Sequence, residues 1–290
     1  MGIEIERIGV PDDELGEGPL WDPAARVLYW VDIKGRAIHR LDPARGAVRS
    51  WPTPSDIGAI ALRQQGGAVL ALKDGFYAFD FASGACEPLA TGLVEAPGIR
   101  FNDAKVDRQG RLLAGTIVED LSAPDANLYR LNRDLSVDVL ESGIICSNGP
   151  CWSPDGATFY FTDTPTRLIS AYDYDVTGGA LANKRPFADT DEFDTAPDGA
   201  TVDAEGYLWC AFVLGGRIGR FAPDGSLERT IDVPVDHPTS VMFGGADLDV
   251  LYVTSLTEPL RAADPAPRPG GLHAIHGLGV QGIPEPRFAG

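Results

Sequence analysis

Val27-Leu28-Tyr29-Trp30 is the first of six short apolar runs whose recurrence decides the fold. Its counterparts are Ala68-Val69-Leu70-Ala71, Arg111-Leu112-Leu113-Ala114, Thr158-Phe159-Tyr160-Phe161, Tyr207-Leu208-Trp209-Cys210 and Val250-Leu251-Tyr252-Val253. Measured from Leu28, Val69, Leu112, Phe159, Leu208 and Leu251, the steps are 41, 43, 47, 49 and 43 residues. That interval suits about four strands, the content of one propeller blade. Each run is followed by another β-like segment, such as Ala37-Ile38-His39-Arg40-Leu41 or Arg217-Ile218-Gly219-Arg220-Phe221, and then by turns rich in Pro and Gly. A helical period is nowhere sustained over a dozen residues. The reading is an all-β fold: one six-bladed β-propeller over residues 1–290, with about four antiparallel strands per blade. Closure of the ring is expected to pair the run from Ile3 to Gly9 with the C-terminal blade.

Composition agrees with that architecture and narrows the partners. The chain is 44% apolar, with 34 Gly and 23 Pro, as many short strands joined by tight turns require. A formal net charge of -18 argues against nucleic acid and against an anionic membrane surface, since both recruit basic patches. Glu4, Glu6 and Arg7 interrupt the first ten residues, which therefore lack a signal-peptide core, and no later stretch is long enough to span a bilayer. A cytoplasmic monomer is expected. Cys86, Cys146, Cys151 and Cys210 lack paired C-x-x-C spacing and read as buried strand residues, with a side role left open for Cys146 and Cys151.

Each apolar run should follow the innermost strand of its blade, whose start faces the central channel. Stepping back 10 to 12 residues from the six anchors reaches Glu17, Gly58, Asn102, Asn148, Asp198 and Thr239. Four of these are carboxylates or carboxamides. Equivalent places in a ring direct side chains toward a common axis, where converging carboxylates repel unless a cation lies between them. Oxygen donors of this type suit a hard divalent ion. Glu17-Gly18-Pro19, Asn148-Gly149-Pro150 and Asp198-Gly199-Ala200 repeat a local pattern of donor then glycine. Any one of these is an ordinary turn dipeptide; their common phase is the signal.

At these motifs the chain resembles the gluconolactonase family that includes regucalcin (senescence marker protein 30). The resemblance runs from Glu17-Gly18-Pro19 through Arg100-Phe101-Asn102-Asp103-Ala104-Lys105-Val106-Asp107, Ser147-Asn148-Gly149-Pro150 and Pro197-Asp198-Gly199 to the tail Gly277-Leu278-Gly279-Val280-Gln281-Gly282. It implies a metal held by Glu17, Asn148 and Asp198, with Asn102 beside it, and substrate binding by Arg100, Asn102 and Glu119, the last on a lid loop over the pocket. It further implies hydrolysis of aldonolactones, small sugar lactones of pentono or hexono type. Ile57-Gly58-Ala59 in blade two departs from the ligand pattern, offering no side-chain oxygen.

The chemistry expected of such a site is polarisation of the lactone carbonyl and activation of a water, with Asp198 as the candidate base. Oxygen ligands are compatible with Ca, Zn, Mn, Mg or Fe(II). Arg100 and Asn102 would orient the carbonyl and hydroxyls, although Arg100 also reads as a surface ion-pair residue. Asp103 and Asp203 read as supporting or turn residues. His39, His237, His273 and His276 fall off the repeat phase and read as structural or solvent-facing. Gly-x-Ser-x-Gly is absent, so a serine hydrolase has little support. Two rivals remain: a metal-dependent phosphotriesterase or esterase, and a non-catalytic calcium-binding propeller.

Overall fold

The structure is a computed structural model that describes residues 2–8, 13–257 and 271–290. Among the described residues, six antiparallel sheets of four strands each are arranged as a six-bladed β-propeller. Blade one runs Gly16–Asp22, Val27–Asp32, Ala37–Asp42 and Ala47–Pro52, ordered from the channel outward. The apolar runs that set the repeat are the second strands. Both faces of such a strand are covered by neighbouring blades, so its residues form a continuous apolar run and do not alternate. Val27–Asp32 is buried at all six positions. The outermost strand Leu181–Asp189 keeps most of its residues exposed or half-buried and is correspondingly polar.

The core is the set of interfaces between blades. Tyr29 and Val31 of blade one pack with Ile60 and Leu70 of blade two. Val69 and Phe76 of blade two pack with Phe101, Leu112 and Tyr129 of blade three. Ring closure follows the expected route: Glu4–Arg7 pairs antiparallel with His273–His276, from Glu4 opposite His276 to Arg7 opposite His273. Gly9, the far end of that expected pairing, lies outside the described residues.

The C-terminal tail crosses one end of the channel. It leaves blade six after His276, is tied to blade five by Ala204 N donating to Gln281 O (2.8 Å), and reaches blade two, where Phe288 N donates to Leu62 O (2.8 Å). Along the way the Arg287 guanidinium binds Asp22 (2.7 Å), and Glu285 lies 3.6 Å from Lys105. These partners sit at the far ends of the innermost strands, so the tail backs the channel and the opposite end is left for the converging donors. Between the two levels lies a cavity of about 30 Å³, lined by Leu20, Lys105, Met242 and Pro286 among others. Phe288 is fully buried between blades two and three. Phe288→Ala is therefore expected to lower the unfolding free energy by about 3–5 kcal/mol, read as a drop in the guanidinium midpoint.

Candidate functional site

All six in-phase residues lie on innermost strands: Gly16–Asp22, Ile57–Leu62, Ile99–Val106, Ser147–Trp152, Pro197–Val202 and Pro238–Gly244. Each of these strands breaks register with its neighbour at the same place. The shifts fall between Glu17 and Leu20, Ile57 and Ala59, Phe101 and Ala104, Asn148 and Cys151, Pro197 and Ala200, and Pro238 and Ser240. A bulge re-aims the side chain beside it and often marks a functional position. Here it supplies the physical reason for the donor–glycine pattern. Gly149 has φ +60°, and a Cβ there would stand 2.9 Å from Asp198 O, so the strand of blade four reaches its neighbour only as glycine.

Two of the six positions do not serve the site. A Cβ at Gly58 would lie 2.3 Å from Asn102 O and 2.5 Å from Phe101 O, so blade two gives up a donor to let the strand of blade three approach. Thr239 Oγ1 donates to Gly16 O (2.6 Å), joining blade six to blade one, and is committed there.

The remaining four are buried and linked. Asn102 Nδ2 donates to Asn148 Oδ1 (3.0 Å) and to Ser147 O (2.9 Å), while Arg100 Nη1 donates to Asn102 Oδ1 (2.9 Å). Asn148 Nδ2 donates to Thr164 Oγ1 (2.8 Å), which in turn donates to Pro197 O (2.9 Å). This chain fixes the amide so that its oxygen, not its nitrogen, faces Asn102. Arg100 is buried, so the surface ion-pair reading of it does not hold. Its Nε donates to Glu119 Oε1 at 3.3 Å, and Glu119 is also bound by Lys34 Nζ at 2.6 Å.

Glu17 and Asp198 are nearly inaccessible to solvent, and burial pushes both carboxyls well above the usual carboxylate range. For Glu17 the charge of Asp198 raises it further, and Asp103 adds to both. Asp198 Oδ1 has no hydrogen-bond partner among the described residues. Two buried carboxylates that repel each other, one with an orphaned oxygen, and the side-chain oxygen of Asn148 on the strand packed against that of Asp198, are donors of a kind that fits a hard divalent cation. Asp103 is better explained as support: its Oδ2 accepts Gly149 N (2.9 Å), and its Oδ1 accepts Ala104 N (2.7 Å). Lys105 opposes the effect of burial on it.

Sequence reasoning did not find Lys34, Thr164 or a second polar cluster. Among the described residues, the one group of three His, Cys, Asp or Glu ligand atoms lying within 4.8 Å of one another is Asp13, Asp32 and His39. Most of its polar atoms are taken up within the protein, although Asp13 Oδ1 has no hydrogen-bond partner among the described residues. Asp32 accepts the amides of Glu14, Leu15 and Gly35, Asp13 accepts Trp30 Nε1 (2.8 Å), and His39 lies 3.3 Å from Asp13 and 2.7 Å from Ser50 Oγ. Clamping the amides just before Gly16, this cluster sets the entry of the strand that carries Glu17. His39, His237 and His273 are buried, as structural residues are, and His276 is half-buried and partly faces solvent. Asp203 is a turn residue, bound by the amides of Glu205 and Tyr207, by Trp209 Nε1 and by Arg220. All four cysteines are free; Cys86 is half-buried and the others buried, with Cys146 Sγ 3.5 Å from Asn148 Nδ2. Burial pushes the Cys151 thiol up to about 12.

Comparison with known proteins identifies the family. Residues 15–257 match the family described as SMP-30/Gluconolactonase/LRE-like region. The 6-deoxy-6-sulfogluconolactonase of Pseudomonas putida is 39% identical over 280 residues, covering 95% of each chain. Regucalcin of Xenopus laevis is 36% identical over 296 residues, covering 99% of each. Among solved structures, a calcium-binding protein, regucalcin, from Agrobacterium tumefaciens str. C58 superposes with a TM-score of 0.90 at 30% identity, covering 97% of this chain and 96% of that one. The chain belongs to the SMP-30/gluconolactonase/LRE-like family.

Proposed function

We propose that this chain is a metal-dependent sugar lactonase that opens an aldonolactone, of pentono or hexono type, to the aldonic acid. The observation that carries the proposal is the buried, mutually repelling pair Glu17 and Asp198, with an unsatisfied Asp198 oxygen on the strand packed against the one that carries Asn148. Similarity along nearly the whole chain to a named sulfogluconolactonase supports the reaction class. Glu17, Asn148 and Asp198 would hold one divalent ion, and that ion, when bound, would supply Lewis-acid polarisation of the ester carbonyl.

The chain's own residues account for the rest. Water adds to the carbonyl carbon, the ring C–O bond breaks, and the water's proton ends on the departing ring oxygen. Asp198 is the residue assigned to carry that proton. Burial raises its basicity while cation binding lowers it, and the two effects oppose. Arg100 Nη2 has no protein partner among the described residues, so one end of its donor fork is available to the substrate oxygens. Asn102 spends both Nδ2 hydrogens on Ser147 O and Asn148 Oδ1, so what it offers beside Arg100 is the second lone pair of its Oδ1. Four free cysteines support a reducing, cytoplasmic setting for a chain we take to act as a monomer. No described helix is long and apolar enough to cross a membrane.

The test is an acidification assay over pentono- and hexonolactones, run beside aryl esters and organophosphates on protein of measured metal content. Acid release confined to sugar lactones is the expected result. Equal or greater turnover of organophosphates or aryl esters would replace the reading with the esterase alternative. A second reading, ion binding without turnover, is favoured by the solved relative described as a calcium-binding protein. It would stand if calcium bound and no lactone opened.

A further inference from the structure

A line of ion pairs leads from solvent to the donor set. Arg36 Nε lies 2.8 Å from Asp56, and Asp56 lies 3.5 Å from Lys34 Nζ. Lys34 reaches Glu119 at 2.6 Å, Glu119 reaches Arg100 at 3.3 Å, and Arg100 binds Asn102 at 2.9 Å. Lys34 sits on the turn between Val27–Asp32 and Ala37–Asp42 of blade one; Glu119 directly follows Leu112–Val118 of blade three. The contact therefore spans 85 residues of sequence and reaches past blade two. The Glu119 backbone is held by its amide donating to Gly98 O (2.8 Å), but its side chain owes its place to two cations.

Both cations bind the same atom, Glu119 Oε1, and among the described residues Oε2 has no partner. A carboxylate tied through one oxygen keeps the other as an oriented acceptor, and that is what a sugar hydroxyl needs. The hydrogen bond from Lys34, more than any other influence, also keeps the Glu119 carboxyl below the usual range.

We propose that Lys34 is a positioning residue, which fixes through one oxygen the orientation of Glu119, the residue that the family resemblance already places against the substrate hydroxyls. Lys34 acts through Glu119 and not on the ester. The inference rests on the lactonase reading above and on Glu119 as a substrate-binding residue, and adds to it the residue that holds Glu119 in place.

The test compares wild type, Lys34→Met, Lys34→Arg, Glu119→Gln and the Lys34→Met/Glu119→Gln double variant on a hexonolactone and on an unsubstituted six-membered lactone. Lys34→Met is expected to raise KM for the hexonolactone about tenfold with kcat within about twofold, because a ground-state contact is lost and not a reacting group. KM for the unsubstituted ring should be unmoved, and Lys34→Arg should restore most of the loss. In the Glu119→Gln background, Lys34→Met should add nothing further, since both changes remove one interaction. Equal effects on the two lactones, or additive effects in the double variant, would overturn the role of Lys34 while leaving the lactonase reading intact. A wild-type protein that opens neither lactone would overturn the lactonase reading, and this inference with it.

Discussion

Asp198→Ala is expected to lower kcat for sugar-lactone opening about 10³- to 10⁴-fold, the span of a lost proton-transfer group combined with a lost metal donor. The same substitution should leave the propeller folded, because Asp198 makes no hydrogen bond through its buried Oδ1 that the core would miss. The direction of its stability effect discriminates further. In metal-free protein Asp198 is a buried carboxylate facing Glu17 and Asp103, so removing it relieves repulsion and should hold or raise the melting temperature. In metal-loaded protein it removes a ligand and should lower it. Full residual turnover in Asp198→Ala, or a variant that melts lower in both states, would remove the residue from its assigned place.

The fold was legible because the second strand of every blade is buried on both faces, so Leu28, Val69, Leu112, Phe159, Leu208 and Leu251 mark a period that needs no knowledge of partners. The donors were legible for a related reason. The bulge occupies one place in all six innermost strands, so a fixed step back from each anchor lands beside it. Even the departures from the phase acquire a cause: Gly58 makes room for the backbone of Phe101 and Asn102, and Thr239 ties the ring shut.

What escaped the sequence depends on contacts between elements that are separated along the chain. Thr164 orients Asn148 from 16 residues away, Lys34 reaches Glu119 across 85, and Asp22 meets Arg287 across 265. None of these has a local pattern. The clamp of Asp13, Asp32 and His39 is illegible for a different reason: a carboxylate that caps backbone amides has the same residue type as one that binds a cation. Only its hydrogen bonds to Glu14, Leu15 and Gly35 separate the two uses.

Stripping the protein with chelator is expected to abolish lactone opening and to lower its melting temperature by an amount that grows with pH. Glu17 and Asp198 have folded-state pKa values raised by burial and by negative neighbours. Between the unfolded values, about 4.3 and 3.9, and those raised values, the folded state binds more protons than the unfolded state. Their contribution to stability is therefore fully present below about pH 4 and is lost as pH rises through the folded pKa values. A cation cancels that loss by neutralising the ionised pair. At a free concentration near 100 times its Kd it adds about 2.7 kcal/mol, and for a chain of this size that corresponds to a melting shift of about 5–10 °C. The shift should be large at pH 8, should shrink toward pH 4 as protons replace the ion, and should vanish in the Glu17→Gln/Asp198→Asn double variant. A melting temperature indifferent to chelator at pH 8, together with undiminished turnover, would mean that these oxygens gather around no ion at all.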